Sequence, residues 1–325
     1  MNEQIPEALE EVSEDQMDDI VYAIVASPAY AEDQTLFAAR PSGLAVSRDG
    51  GQSWQTAFDS LNLPEPLPAT CVALSPNFAN DQTVFAGAPG GVLRSIDGGQ
   101  NWFVVMLPSP PPTVSGLVVS PDFERDSVVL SASMEDGVFR SANRGDRWSA
   151  WNFGLLDLNV ISLVISPNFA DDETLYLGAE TGIFRSTNGG RAWREVDLPV
   201  GFEPILSLAL SPNFQEDQLL FAGTESHGLF RSDDAGESWT RIGEAEIEGT
   251  VNSIVLGADF PAKPELLVVA GDRLVVSRDG GQSWSPWGAG RIFEEGVASV
   301  AAPAGLGPDV PIFVGLVSGN IERLG

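Results

Sequence analysis

Ser47-Arg48-Asp49-Gly50-Gly51-Gln52-Ser53-Trp54 is the phrase that organises this chain, because it returns five more times in near-identical form. The further copies run from Ser95 to Trp102, Ser141 to Trp148, Ser186 to Trp193, Ser232 to Trp239 and Ser277 to Trp284. Each reads as a turn. An acid or amide (Asp49, Asp97, Asn143, Asn188, Asp234, Asp279) can bond local backbone amides, glycine takes positive φ, and the tryptophan (Trp54, Trp102, Trp148, Trp193, Trp239, Trp284) covers the turn. A second phrase, Ser-Pro-Asn-Phe or a relative, begins at Ser27, Ser75, Ser120, Ser166 and Ser211, with degenerate copies at Gly257 and Ala302. A period near 46 residues therefore fills the chain, and such periods mark arrays of one supersecondary unit.

Every unit has the same grammar. An apolar run such as 160–165 ends at a proline, which cannot continue a ladder, and a polar loop with an aspartate follows (Asp33, Asp81, Asp126, Asp172, Asp217 and Asp309). A short apolar run, a glycine-led run such as 182–186, and a fourth run opened by the tryptophan complete it. Runs of four to six β-branched and aromatic residues between glycine and proline read as strands, and no long window holds a helical period. Four antiparallel strands per unit predict an all-β chain: a seven-bladed β-propeller of four-stranded antiparallel blades with hairpins at the repeated box. A β-solenoid would use shorter coils. Residues 20–325 are read as the single propeller and residues 1–19 as an acidic leader. The seventh unit stops where its box would begin, which leaves Ala8-Leu9-Glu10-Glu11-Val12 as the best apolar piece for a ring-closing fourth strand, with an unpaired leader and a three-stranded last blade as the alternative.

The box resembles the Asp-box, or bacterial neuraminidase repeat, of the form S-x-D-x-G-x-T-W. The resemblance covers the chain apart from the acidic leader. It implies a structural hairpin between the third and fourth strands of each blade, away from active sites. Sialidases of that superfamily use three convergent arginines with a Tyr–Glu pair and an aspartic acid. Here tyrosine stands only at 22, 30 and 176, in slots that other repeats fill with aliphatic residues or Phe, so all three read as packing. Arg94, Arg140, Arg185 and Arg231 occupy one repeat position and radiate round the ring, so they do not converge on one ligand. They are read as structural, paired with the loop aspartates; the functional alternative is a strip for an acidic partner. That strip is similar to the basic patch of the photosystem II assembly factor family, which is also built as seven-bladed Asp-box propellers.

Charge and composition remove other classes. With 46 acids against 17 bases, a net charge of −29 repels nucleic acid and anionic lipid. No apolar stretch is long enough to span a membrane, and the first twenty residues carry eight acids and no base, unlike a secretory or transit signal. A cytoplasmic setting is the expectation. One cysteine (Cys71) and one histidine (His227) exclude a disulfide framework, a histidine-rich metal site and a credible nucleophilic triad. No loop alternates Asp and Asn as a calcium site does, so no metal and no cofactor are expected.

Function is expected on the face opposite the boxes, where the repeats cease to agree. The candidate binding residues there are Trp151, Phe153, Phe202, Trp287, Glu180, Glu225 and His227; Trp151 and Trp287 are taken as surplus to the repeat. No catalytic residue is assigned. The reading is a non-enzymatic protein-interaction scaffold, resembling the assembly-factor group, with a basic protein as the expected partner. The alternative is a carbohydrate-active propeller that binds or cleaves glycans.

Overall fold

A computed structural model describes residues 19–108, 110–307 and 309–325. Blade 1 has strands Ala23–Ala26, Leu36–Arg40, Gly43–Ser47 and Gln55–Thr56, joined antiparallel in chain order. Blades 2 to 6 repeat this order, with first strands Cys71–Leu74, Thr113–Val119, Val160–Ile165, Ile205–Leu210 and Val251–Leu256. Blade 7 has three described strands, Val297–Ala301, Ile312–Leu316 and Ile321–Leu324. Its possible fourth strand, Ala8 to Val12, lies outside the described residues.

The polar loop between first and second strands closes as a one-turn helix in five blades, for example Phe169–Asp172, with Glu173 left-handed at its end. Its aspartate does not reach the arginine row. Instead Ser166 Oγ donates to Asp172 Oδ2 at 2.6 Å, and Asp172 Oδ1 accepts the Thr174 N–H at 2.8 Å. Ser75–Asp81 and Ser211–Asp217 repeat the pair. This carboxylate satisfies its own turn, so the pairing expected from the sequence is corrected.

Blade-to-blade seams hold the ring. At four junctions an aromatic of the loop between first and second strands meets a second-strand ring of the preceding blade edge-on: Phe37–Phe78, Phe85–Phe123, Tyr176–Phe214 and Phe221–Phe260, with centroids 5.9–6.2 Å apart. Phe313 of blade 7 meets Tyr30 of blade 1 in the same way at 6.1 Å. A hydroxyl near the start of the first strand donates to a backbone carbonyl of the next blade: Thr70 to Val114, Ser115 to Val160, Ser162 to Ile205 and Ser207 to Val251. Ser299 to Val21, at 2.7 Å, joins blade 7 to blade 1. The inner part of the ring is thus closed by ordinary seams. Of the tyrosines read as packing, Tyr30 and Tyr176 are buried, whereas Tyr22 is 45% exposed.

The arginine row is structural, with a different partner from the one expected. Arg94 Nη1 donates to Arg144 O at 2.6 Å, Arg185 Nη1 to Ala235 O at 3.2 Å and Arg231 Nη1 to Gly280 O at 2.6 Å. Each acceptor belongs to the box turn of the following blade. Arg140 lies 4.5 Å over the Trp151 ring instead. Strand register adds a member from blade 7: Phe313 pairs with Arg323 as Phe85 pairs with Arg94, so Arg323 continues the row.

Candidate functional site

The boxes build one face. Ser47 Oγ donates to Asp49 Oδ1 at 2.8 Å and accepts the Gly51 N–H at 2.9 Å, and Asp49 Oδ1 accepts the N–H groups of Gln52 and Ser53. Hydrogen bonds from the Ser53 hydroxyl, then its amide, then Ser47, hold Asp49 down to about 2. Asp234 and Asp279 are lowered to about 2 by the same groups from their own boxes. Asn143 and Asn188 keep the turn through Oδ1, which accepts from Arg147 and Ala192. A carboxylate so fully engaged holds backbone and has no lone pairs arranged for chemistry.

Trp102, Trp148 and Trp193 are buried, while Trp54, Trp239 and Trp284 are half-buried, so burial of the box tryptophan is less uniform than their repetition implies. In blades 2 and 4 the indole N–H donates to a carbonyl three residues beyond the preceding box tryptophan: Trp102 to Ala57 at 2.8 Å and Trp193 to Trp151 at 2.9 Å. That slot belongs to the repeat. Ala57, Val105, Trp151, Val196, Ile242 and Trp287 occupy it. Trp151 and Trp287 are therefore not surplus. Trp287 is 9% exposed in the cluster with Phe293 and Val297, and Trp151 is half-buried between Arg140 and Arg191 at 4.5 and 5.5 Å. Neither presents a free ring to the loop face.

Phe153 and Phe202 are free rings. They are 80% and 81% exposed, in the successive crossings that enter blades 4 and 5. The crossing that carries Phe153 is tied down. Phe153 O accepts the Trp193 N–H at 2.9 Å; farther along that crossing Asp157 Oδ2 accepts both the N–H and the hydroxyl of Thr181, and Asn159 Nδ2 donates to Glu180 Oε2 at 3.2 Å. Beside Phe202, Glu203 turns inward and is 5% exposed. Its Oε1 accepts the Ser226 N–H at 2.6 Å, and its Oε2 lies 3.1 Å from His227 Nδ1. Glu225 is exposed, its N–H on Pro204 O and its carbonyl on Thr250 Oγ1. Glu180, Glu225 and the half-buried His227 thus lie on turns bonded to the crossings that carry the two rings. Glu203 was missed as an anchor, since an acid beside an exposed Phe gives no sequence sign of pointing inward. The equivalent crossings elsewhere bury their rings, Phe58 against Trp102 at 5.1 Å and Phe293 in the core.

Cys71 is buried, and desolvation pushes its thiol up to about 12, which leaves it inert at neutral pH. Among the described residues no group of three or more His, Cys, Asp or Glu is placed to hold a metal ion, and no helix is long and apolar enough to cross a membrane.

Fold and boxes together make this chain an Asp-box repeat β-propeller of seven blades. The BNR/Asp-box repeat model matches residues 275–286, and no curated protein matches the sequence. Among solved structures it is similar to YCF48 bound to D1 peptide, at 18% identity and TM-score 0.70, over 95% of this chain and 94% of that one. The GH74 enzyme of Niastella koreensis matches at 17% identity and TM-score 0.74, over 94% of this chain and 52% of the enzyme. The extracellular domain of the putative one component system BT4673 from B. thetaiotaomicron matches at 15% identity and TM-score 0.68, over 95% of this chain. The chain spans only 38% of that domain. At these identities the likeness is one of fold.

Proposed function

We propose that this propeller is a non-enzymatic docking scaffold that receives a basic protein segment on its loop face. The observation that carries the reading is the pair of exposed rings, Phe153 and Phe202, held on hydrogen-bonded crossings within a rim of Asp157, Glu180 and Glu225. Rigid aromatic anchors lose little conformational entropy on binding and dominate interface energies, while a surrounding acidic rim steers a basic partner. The similarity over nearly the full length of YCF48, a protein whose structure holds a D1 peptide, supports a protein partner. The likeness to GH74 propellers keeps glycan recognition as the alternative, since exposed rings also stack on sugars.

The test is a Phe153→Ala/Phe202→Ala double variant assayed against the partner recovered from the native host. Each ring should contribute roughly 2 kcal/mol, so the double variant binds at least about a hundredfold more weakly with its melting temperature unchanged. Unchanged affinity removes the loop face from the proposal. Binding of glycans, and of no protein, in an array replaces it with the alternative. Recovery in the cytoplasmic fraction is the localisation this reading expects.

A further inference from the structure

Fourth strands form the rim of the ring, and among the described residues five of the six are protected there against pairing with another chain. Gln55–Thr56, Ser149–Ala150 and Ser285–Pro286 are only two residues long. Arg194–Val196 and Thr240–Ile242 are three residues long, and each carries charge. Shortness, charge and proline are the devices by which sheets blunt an outer edge. Blade 2 uses none of them. Its fourth strand, Phe103–Met106, has four residues and reads Phe-Val-Val-Met. Phe103, Val104 and Met106 are all more than half exposed, and so is Ile96, which lines a shallow hollow with Phe103. Such an edge presents apolar side chains and unpaired main chain together.

The direction of its amides fixes what this edge accepts. Leu107 N–H donates inward to Gly90 O, and amides alternate along an antiparallel strand, so those of Val104 and Met106 turn outward. Blade 6 agrees. Pro286 lies opposite Val275 as Val104 lies opposite Leu93, and a proline at that place has no N–H to give its own blade. About a centre at Val105 the edge is complementary to itself: an antiparallel copy sets Val104 opposite Met106, Val105 opposite Val105 and Phe103 opposite Leu107, every pair apolar. Charge points to the same occupant. Gly98 to Pro121 is a run of 24 residues without a charged side chain, the longest in the chain, so two copies of net charge −29 meet no like charge along this strand. A basic segment would gain no carboxylate from the strand itself.

We infer that the rim of blade 2 is a self-association surface, where a second copy of this chain pairs antiparallel with Phe103–Met106 across a two-fold axis at Val105. Val104 and Met106 of each copy exchange main-chain hydrogen bonds, and the two four-stranded blades become one continuous sheet. Phe103, Val104 and Met106 of both copies are covered in the process. An edge of this length makes a reversible dimer and not an obligate one. It is separate from the crossings of Phe153 and Phe202, so it does not rest on the docking proposed for them.

Sedimentation equilibrium of the full chain from about 1 to 200 μM tests this. A monomer–dimer equilibrium should appear and tighten as salt rises, because screening weakens the repulsion between two copies; a basic partner would respond in the opposite sense. Val104→Pro, which blade 6 shows the fold to accommodate, should weaken the dimer at least about tenfold with the melting temperature unchanged. Val104→Lys, at an exposed side chain, should do the same by setting charge against the edge. Val105→Cys should oxidise to a covalent dimer, since a directly opposed pair without hydrogen bonds brings the two Cα atoms within about 4.5 Å, while the buried Cys71 takes no part. Phe153→Ala/Phe202→Ala should dimerise as the parent does. A monomer over the whole range overturns the inference. So does a dimer that survives both Val104 variants, a dimer in which Val105→Cys does not cross-link, or pairing at this edge only with a strand of another protein.

Discussion

Trp193 and Trp287 show how one residue type divides between two structural duties. Trp193 is 3% exposed, within the cluster of Leu130, Leu155 and Leu175, and its N–H is spent on Trp151 O. Trp193→Ala should cost on the order of 3–5 kcal/mol, read as a lowered urea midpoint, because the cavity is lined by side chains fixed by two blades. A loss under about 1 kcal/mol would show that the indole only covers the surface. Trp287→Ala should act on stability in the same direction, and partner binding per folded molecule should be unaffected, since its ring faces the core. The half-buried Trp239, whose Nε1 has no partner among the described residues, should cost less than Trp193 on the same substitution.

Among elements, the box hairpin makes acid stability predictable in sign. Asp49, Asp234 and Asp279 have folded pKa values of about 2 against an ordinary 3.8. A carboxyl depressed by folding contributes stability that is fully present above its unfolded value and is lost as pH falls through the folded one. The melting temperature should therefore decline between about pH 4 and pH 2. Asp234→Asn should hold the turn, as Asn143 and Asn188 do, and remove one box's share of that decline. A variant that titrates as the parent does would show that other acids govern the window. The arginine row belongs to the same scale. Arg185 bonds Ala235 O and stacks 5.5 Å from the Tyr176 ring, so Arg185→Gln should lower stability by about 1–2 kcal/mol and leave partner affinity unchanged. Abolished binding in a fully folded Arg185→Gln protein would move the docking surface to the blade flank.

At the scale of the molecule, a ring with net charge −29 and an acidic loop face should capture a basic partner by long-range attraction. Association should slow as salt rises, with most of the change in the on-rate and little in the off-rate, measurable by stopped-flow or surface binding. An off-rate effect alone would place the charges inside the contact and not around it. The inner seams distribute closure round the ring: Ser299 on Val21 and Phe313 on Tyr30 repeat what every other junction uses.

Period, strand number and box chemistry were legible without coordinates, because they are local. Serine, aspartate, glycine and tryptophan at fixed offsets make the same turn wherever they occur, and the repeat counts the blades. The short helices were read as polar loops, since one helical turn leaves no periodic trace. What needed tertiary structure was the direction of each side chain between blades. Trp151 and Trp287 looked additional because their slot holds Ala57, Val105, Val196 or Ile242 elsewhere; only the neighbouring blade shows that the slot is internal. The loop aspartates keep step with the arginines in sequence, yet carboxylates such as Asp172 close on their own serine, and Arg94, Arg185 and Arg231 each reach a carbonyl of the next blade's box. Phe153 and Phe202 look no different in sequence from Phe58 and Phe293, and packing alone exposed the first two and buried the others. Local chemistry determined the fold of this chain, whereas exposure on the loop face depends on contacts between residues tens of positions apart, which no short motif encodes.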